Sequence, residues 1–189
     1  MQRLFHTISH LGHVSEELKA FLTQHVHEVK LPRKEHLLEA GQVASKLYFV
    51  ESGLVRGYYL HDGKDITIWV IAENDFVISI LSFYTRKPSY EYIELLEDSH
   101  LWYLSYDKLQ EAYQLFPEFN LIGRLLTERY YVLSEYRSYY LRMHSAEERL
   151  QLLLHDWPGI MARVKHRHVA SLLGISSETL SRLLARKSY

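Results

Sequence analysis

Two charged side chains near the carboxyl end of the chain, Glu178 and Arg182, are spaced to act on one ligand. Residues four apart lie on one face of a helix, one turn from each other. A guanidinium donates to O6 and N7 of guanine, and a carboxylate accepts from N4 of cytosine. Ser177 and Ser181 add small hydrogen-bonding groups to the same face. The chemistry that these four residues predict is direct contact with base edges in a DNA groove.

The surrounding sequence, residues 166–185, predicts the two short helices of a helix-turn-helix. Ala170 is small where two helices must cross closely, and Gly174 suits the positive φ of a tight turn between them. Ser176 is placed to cap the second helix. The apolar residues expected between the helices are Val169, Leu173, Leu180 and Leu183. This pattern turns the four polar residues of the second helix outward.

The carboxyl-terminal segment is basic, whereas the rest of the chain is acidic. Residues 145–189 contain seven basic and four acidic residues, a net charge of +3, and residues 1–144 contain 15 and 19, a net charge of −4. Positive charge attracts DNA phosphates and gives affinity rather than sequence preference. The predicted phosphate contacts are Lys165, Arg167, Ser176, Thr179, Arg186 and Lys187.

Several other classes of chemistry lack their residues. The 189 residues include no cysteine, which excludes disulfides, thiolate zinc sites and cysteine nucleophiles. The paired histidines His25 and His27, like His166 and His168, diverge on a helix, so we expect no metal site and no cofactor. Neither a Gly-x-Ser-x-Gly elbow nor a glycine-rich phosphate loop is present, so we expect no enzyme. Without a membrane-spanning or signal-type apolar run, we expect a cytoplasmic protein that does not contact membranes.

The preceding part of the chain predicts a β-rich domain. An amphipathic helix is expected within residues 14–28, capped by Ser15, and a short helix over residues 105–114. Between them, runs rich in Val and Tyr predict strands at residues 46–51, 53–60, 65–71, 90–96 and 100–104. Their regular spacing, with turn residues between them, predicts an antiparallel barrel or jelly roll.

A long helix and a capping box separate the two parts. Apolar residues recur at steps of three and four from Phe119 to Met143, after a helix-initiating Pro117, which predicts a helix of about 25 residues and ~37 Å. Either of its faces is available to pair with a second copy. Ser145 and Glu148 form a capping box that starts the next helix. We therefore expect one domain over residues 1–144, with the long helix at about 117–144, and a second over residues 145–189.

Essentially the whole chain resembles the Crp/Fnr family of bacterial transcription regulators. The segments that carry the resemblance are residues 39–41, 47–56, 74–76, 101–105 and above all 169–182. The resemblance implies an α+β fold with an antiparallel, jelly-roll-like sensor roll, a long dimerisation helix and a small all-α helix-turn-helix domain. It further implies a homodimer that binds a pseudo-palindromic operator on double-stranded DNA. Glu178 and Arg182 match the family's base-reading positions, and Ser177 stands where the family has Arg.

The predicted effector pocket departs from that of the family's cAMP binders. They use a Gly-Glu pair for the ribose and an Arg-Ser pair for the phosphate, whereas this chain has Ile78-Ser79 and Ser89-Tyr90. On the long helix, Ser134-Glu135 stand where the cAMP binders of the family have hydroxyl-bearing residues that face the adenine of the ligand. A buried phosphate without a counter-charge is costly, so we expect no cAMP binding, and an unknown effector stays open. The alternatives are a haem or gas sensor of the same family and a ligand-sensing roll that acts through protein partners.

Overall fold

The chain, in a computed structural model that describes residues 1–186, forms helices at both ends of a β-rich segment. The helices are α1 (Gln2–Ser9), α2 (Glu16–His25), α3 (Ile80–Thr85), α4 (Tyr106–Leu115), α5 (Pro117–Met143), α6 (Ala146–Asp156), α7 (Ile160–Arg163), α8 (His166–Leu172) and α9 (Ser177–Arg186). The strands are β1 (His27–Leu31), β2 (His36–Leu38), β3 (Lys46–Ser52), β4 (Val55–His61), β5 (Lys64–Ile71), β6 (Phe76–Val77), β7 (Glu91–Leu95) and β8 (Ser99–Ser105).

The strands form two four-stranded sheets, in the orders β1-β8-β3-β6 and β2-β7-β4-β5. In the first sheet, β3 and β8 run antiparallel with Lys46 opposite Ser105 and Val50 opposite Leu101. Val50 and Leu101 are fully buried. Leu95 at the end of β7 and Leu54 directly before β4, both strands of the second sheet, are also fully buried. Burial of these side chains explains why short runs of Val, Leu and Tyr form these strands. The predicted antiparallel roll is confirmed.

Some elements differ from the prediction. The chain opens with α1, which precedes the helix expected within residues 14–28. Three strands, β1, β2 and β6, and three helices, α1, α3 and α7, were not predicted. The missed strands β2 and β6 have three and two residues, too few to show a periodic pattern.

Two compact units make up the described chain. Unit 1 comprises residues 1–57 and 70–129, which include most of both sheets. Unit 2 comprises residues 58–69, the outer part of the β4–β5 hairpin, and the chain from Tyr130 onward. The hairpin tip thus belongs to the same unit as the carboxyl-terminal helices.

The predicted long helix is present as the 27 residues of α5, about 40 Å of helix. Its first turns, with Phe119 and Ile122, are buried within unit 1. In unit 2 its apolar side chains are largely exposed, including Val132, Tyr136, Tyr139 and Met143. The predicted stripe is therefore buried at Phe119 and Ile122 and exposed at Tyr136 and Met143 near the end of the helix.

The predicted capping box follows α5. The Ser145 amide donates to Oε2 of Glu148 at 2.7 Å, and the Glu148 amide donates to Oγ of Ser145 at 3.3 Å. Both groups satisfy amides that a helix start leaves without partners, so α6 begins at Ala146. The capping box thus explains the break between α5 and α6, and the expected domain boundary at residue 144 stays a prediction, because the compact units divide α5 between Arg129 and Tyr130.

A candidate nucleic-acid interface

The turn between α8 and α9 in unit 2 has the geometry of a tight helix junction. Gly174 has a φ of +65°, the left-handed region that favours glycine. Its amide donates to the Ser171 carbonyl, and the Ile175 amide donates to the Ala170 carbonyl, each at 3.0 Å. Ala170 is buried, which leaves room for close helix packing. These contacts end α8 and redirect the chain into α9.

A small apolar core fixes the two helices against each other. Val169, Leu173 and Leu180 are at most 1% exposed, and Leu183 is half-buried. Burying such side chains stabilises the pair by about 1.5 to 3 kcal/mol for each residue. The residues expected at the interior of the helix-turn-helix thus lie there.

The start of α9 is capped by Ser176. Its hydroxyl accepts from the Thr179 amide at 3.2 Å, and its carbonyl accepts from the Leu180 amide at 3.0 Å. The hydroxyls of Ser176 and Thr179 also lie 3.2 Å apart. Both residues were predicted as phosphate contacts, and in the free protein both take part in the helix cap.

The outward face of α9 carries the predicted base-reading residues. Ser177, Glu178, Ser181 and Arg182 are all exposed. Arg182 donates through Nη2 to Oγ1 of Thr179 at 3.2 Å, so the guanidinium lies along the helix. The face therefore combines hydroxyls, a carboxylate and a guanidinium.

Glu178 is held in its charged form. The hydrogen bond from the Ser176 hydroxyl, followed by a backbone hydrogen bond, lowers the pKa of the Glu178 carboxyl below its ordinary value of 4.5. Arg182 contributes in the same direction by charge attraction. An ionised carboxylate only accepts hydrogen bonds, so Glu178 matches an amino group rather than a carbonyl.

The other predicted phosphate contacts that the structure describes are also exposed. Lys165 and Arg167 lie at the start of α8, and Arg186 lies at the end of α9. Arg167 Nε points to Nε2 of His168 at 3.4 Å. Lys187, the last of the predicted contacts, lies outside the described residues.

Sequence reasoning did not single out Arg149, which adds charge at the same turn. Its Nη1 lies 3.3 Å from the point where a Cβ on Gly174 would stand. Its Nε is buried without a hydrogen-bond partner, and its carbonyl accepts from the Tyr140 hydroxyl. The only sequence signal for Arg149 was that it belongs to the basic carboxyl-terminal segment. Its position beside the turn at Gly174 was not predictable, because α6 and this turn are far apart in the chain.

The residues predicted for the effector pocket are only partly together. The Ser79 and Ser89 hydroxyls lie 3.2 Å apart in unit 1, and both residues are buried. The Ser89 hydroxyl donates to the Glu91 carbonyl at 3.1 Å, so it accepts from Ser79. Tyr90, however, is 76% exposed, and its side chain is not part of a buried pocket.

The remaining pocket residues do not add to this pair. Ile78 is half-buried in unit 1. Ser134 and Glu135 are exposed on the part of α5 that belongs to unit 2. Six described residues were predicted for the pocket. Of these, only Ser79 and Ser89 have side chains within hydrogen-bonding distance of each other.

A polar cavity of about 210 Å³ adjoins Ser79 in unit 1. Its lining includes Leu38, Gln42, Lys46, Tyr48, Ser79 and Ile93. The Lys46 ammonium lies 4.4 Å from the centre of the Tyr103 ring, and burial raises the pKa of Tyr48 to about 12. Tyr48 therefore stays uncharged at neutral pH.

The arginines of this region are engaged elsewhere. Arg56 is buried and pairs with Glu94, with its Nε 2.7 Å and its Nη2 2.6 Å from Glu94 Oε2. Arg86 is exposed, donates to the Ala44 carbonyl at 2.6 Å and stacks on Tyr106. Neither guanidinium lines the cavity beside Ser79.

Two further features were searched for over residues 1–186. No three side chains of His, Asp or Glu in this part of the chain are grouped to hold a metal ion. Within the same residues, no helix has both the length and the apolar character that crossing a bilayer requires.

Comparisons with known proteins agree with this architecture. Residues 28–115 match the model of the cyclic nucleotide-binding domain family. A global regulator from Xanthomonas campestris named as c-di-GMP responsive superposes with a TM-score of 0.71 at 21% identity, over 92% of both chains. A proposed transcriptional regulator of the Crp/Fnr family from Eubacterium rectale superposes with a TM-score of 0.67 at 18% identity, over 91% of this chain and 82% of the other. The chain shares the fold of these two regulators.

The sequence relative is matched over a shorter range. The anaerobic regulatory protein of Bacillus subtilis is 28% identical over 100 residues, which are 52% of this chain and 42% of that protein. The chain thus spans less than half of the length of this curated relative. The segment that matches the cyclic nucleotide-binding domain family runs from β1 to α4 and contains Ser79 and Ser89.

Proposed function

We propose that this chain is a transcription regulator of the Crp/Fnr family that binds double-stranded DNA. The observation that carries the proposal is the outward face of α9. Glu178 and Arg182 are exposed one helical turn apart, on a helix whose opposite face is fixed by Val169, Leu173 and Leu180. A helix presented in this way fits the major groove, whose width admits it and whose base edges carry the sequence information.

Each polar residue has a distinct role in this proposal. Arg182 bonds guanine, Glu178 accepts from cytosine, and Ser177 and Ser181 complete the contacts with bases. Lys165, Arg167 and Arg186 bind phosphates together with the Ser176 and Thr179 hydroxyls. Phosphate contacts fix the register of the protein on the duplex, whereas base contacts select the sequence.

The regulator acts as a homodimer through α5. Its exposed apolar side chains in unit 2, Val132, Tyr136, Tyr139 and Met143, support this because water is a poor environment for such a surface. Two copies related by a two-fold axis present two α9 helices to half-sites about 34 Å apart, one turn of DNA. The operator is therefore pseudo-palindromic.

The sensor roll does not bind cAMP in this proposal. The hydroxyls of Ser79 and Ser89 bond each other, and the buried Arg56 is neutralised by Glu94. A cyclic phosphate would lack the counter-charge that offsets its desolvation. A different small effector is open, and we propose a cytoplasmic regulator without enzymatic activity.

Salt dependence of DNA binding tests the proposal. Fluorescence anisotropy with a labelled duplex of random sequence is measured over a salt series. We expect the logarithm of the affinity to fall linearly with the logarithm of the salt concentration, because neutralised phosphates release counterions. Lys19→Ala, which removes a half-buried lysine of unit 1 that pairs with Glu16, serves as a control with an unchanged slope. Binding that ignores salt, or no binding, contradicts the proposal.

A second candidate function is favoured by one surface of unit 1. Ile80, Leu81, Tyr84 and Tyr90 are apolar or aromatic and between 49% and 76% exposed. Such a surface fits a protein partner. Absence of DNA binding, together with a stoichiometric protein complex that Leu81→Ser disrupts, would support this alternative.

A further inference from the structure

The tip of the β4–β5 hairpin is a tight two-residue turn. Asp62 and Gly63 join the strands with φ values of +49° and +73°. Positive φ at both residues of a two-residue loop is typical of a type I′ turn, whose twist matches that of paired strands. The hairpin tip, residues 58–69, lies in unit 2 with α8 and α9.

One hydrogen bond from a backbone amide to a side-chain hydroxyl joins this hairpin to the first helix of the helix-turn-helix. The Thr67 amide donates to Oγ of Ser171 at 2.8 Å, across 104 residues of sequence. Thr67 is 1% exposed, so its amide has no access to bulk water. A buried amide that loses its acceptor costs about 1 to 3 kcal/mol.

A second contact involves the same face of α8. His168 lies one turn before Ser171 and is buried, with Nδ1 4.0 Å from Oδ2 of Asp65. Arg167 Nε, which can only donate, points to Nε2 of His168 at 3.4 Å. The ring nitrogen that carries a proton is therefore Nδ1, and it faces the Asp65 carboxylate.

The other strand of the hairpin interacts with α5. Tyr59 of β4 interacts electrostatically with the half-buried Arg137 of α5. Burial lowers the pKa of the Arg137 guanidinium, and Tyr59 opposes this effect. The hairpin thus contacts α8 and interacts electrostatically with α5 within unit 2.

We propose that this hairpin is a brace that holds α8 in the arrangement that binds DNA, with Asp65 and Ser171 as positioning residues. The inference rests on the proposed function. In the braced arrangement Glu178 and Arg182 remain exposed, as do Lys165 and Arg167. The brace therefore leaves the DNA-facing surface free while it restricts the motion of α8. Losing it weakens binding to all sequences and leaves the base preference unchanged.

Ser171→Ala and Asp65→Asn test the brace in the full chain. Dissociation constants for a selected site and for random duplex are measured at a temperature at which every variant is folded by circular dichroism. Ser171→Ala is expected to weaken both about tenfold, which corresponds to 1.4 kcal/mol. Ser171→Thr, which keeps the hydroxyl, is expected to restore most of the affinity. Asp62→Asn makes the same charge change as Asp65→Asn at the exposed tip and is the matched control.

Hydrogen exchange of the Thr67 amide provides a readout that does not depend on DNA. Its protection is expected to fall in Ser171→Ala and to remain in Asp62→Asn. If the wild type binds DNA and Ser171→Ala binds equally well or more tightly, the brace is overturned while the proposed function stands. If the wild type does not bind DNA, the proposed function fails, and unchanged protection of Thr67 in Ser171→Ala independently overturns the brace.

Discussion

The guanidinium of Arg182 donates to the hydroxyl of Thr179, three residues earlier on the outward face of α9, at 3.2 Å. This contact is solvent-accessible and single, so it holds the side chain only weakly. Exchanging it for two hydrogen bonds to a guanine is favourable in a desolvated groove. We therefore expect Arg182→Ala to cost roughly 1 to 3 kcal/mol on a selected operator and to relax the preference at one base pair. Competition binding with single-base variants of the operator measures both effects.

Lys165→Ala is the matched comparison for Arg182→Ala, because both remove one exposed positive charge from the helix-turn-helix. A phosphate contact carries no sequence information, so Lys165→Ala should weaken all sequences alike and reduce the salt slope by about 1. If Arg182→Ala gives this same uniform loss, Arg182 is a phosphate contact and the assignment to a base is wrong.

The charge state of Glu178 predicts a pH profile. Because the Ser176 hydroxyl lowers the pKa of the Glu178 carboxyl below 4.5, the carboxylate persists in neutral and mildly acidic solution. The preference for cytosine at its position should therefore be constant between about pH 5 and pH 8. Glu178→Gln adds a donor and should broaden the preference at that position. Site selection from a random pool at two pH values measures this, and a preference that changes at mild pH would show that another group reads this base pair.

The helix-turn-helix was predictable because its signals are local. Ala170, Gly174 and Ser176 each meet a requirement set by residues within one or two turns, namely close packing, positive φ and capping. The capping box of Ser145 and Glu148 is local in the same sense. Such motifs can be recognised from spacing alone.

The contacts of the hairpin with α8 were not predictable from sequence. Thr67 and Ser171 are 104 residues apart, and neither residue type marks a long-range hydrogen bond. Tyr90 is the complementary case, because the resemblance places it among the pocket residues while its side chain is exposed. Alignment to a family assigns a position in the chain but does not determine the direction of a side chain.

The hydrogen-bonded pair Ser79 and Ser89 predicts the response to cyclic nucleotides. Isothermal titration calorimetry of the purified chain with cAMP at physiological concentration should show no binding heat, because a buried phosphate would have no free arginine beside it. The control is a cAMP-binding protein titrated under the same conditions. Saturable binding of cAMP with one site per chain would contradict this prediction.

The buried pair of Arg56 and Glu94 predicts a large effect on stability. Glu94→Gln removes the carboxylate that pairs with the buried Arg56 guanidinium, which should lower the free energy of unfolding by about 3 to 5 kcal/mol. Arg56→Met combined with Glu94→Leu removes both charges and should be less destabilising than Glu94→Gln alone. Urea denaturation measures both variants, and a double variant that is less stable than Glu94→Gln would show that the pair is net stabilising.

The capping box at the start of α6 predicts a pH-dependent contribution to stability. Hydrogen bonds from the Ser145 amide and then its hydroxyl lower the pKa of the Glu148 carboxyl below 4.5. A group whose pKa is lower in the folded than in the unfolded state stabilises the fold above its unfolded pKa, and the effect is lost as the pH falls through the folded pKa.

Ser145→Ala should cost about 1 kcal/mol at neutral pH and less in acid. Glu148→Gln should likewise be destabilising at neutral pH only, whereas Glu147→Gln, an exposed neighbour outside the box, should have little effect. Thermal unfolding of the three variants at pH 7 and near pH 3 measures these differences, and equal losses at both pH values would show that the carboxylate form of Glu148 does not stabilise the helix start.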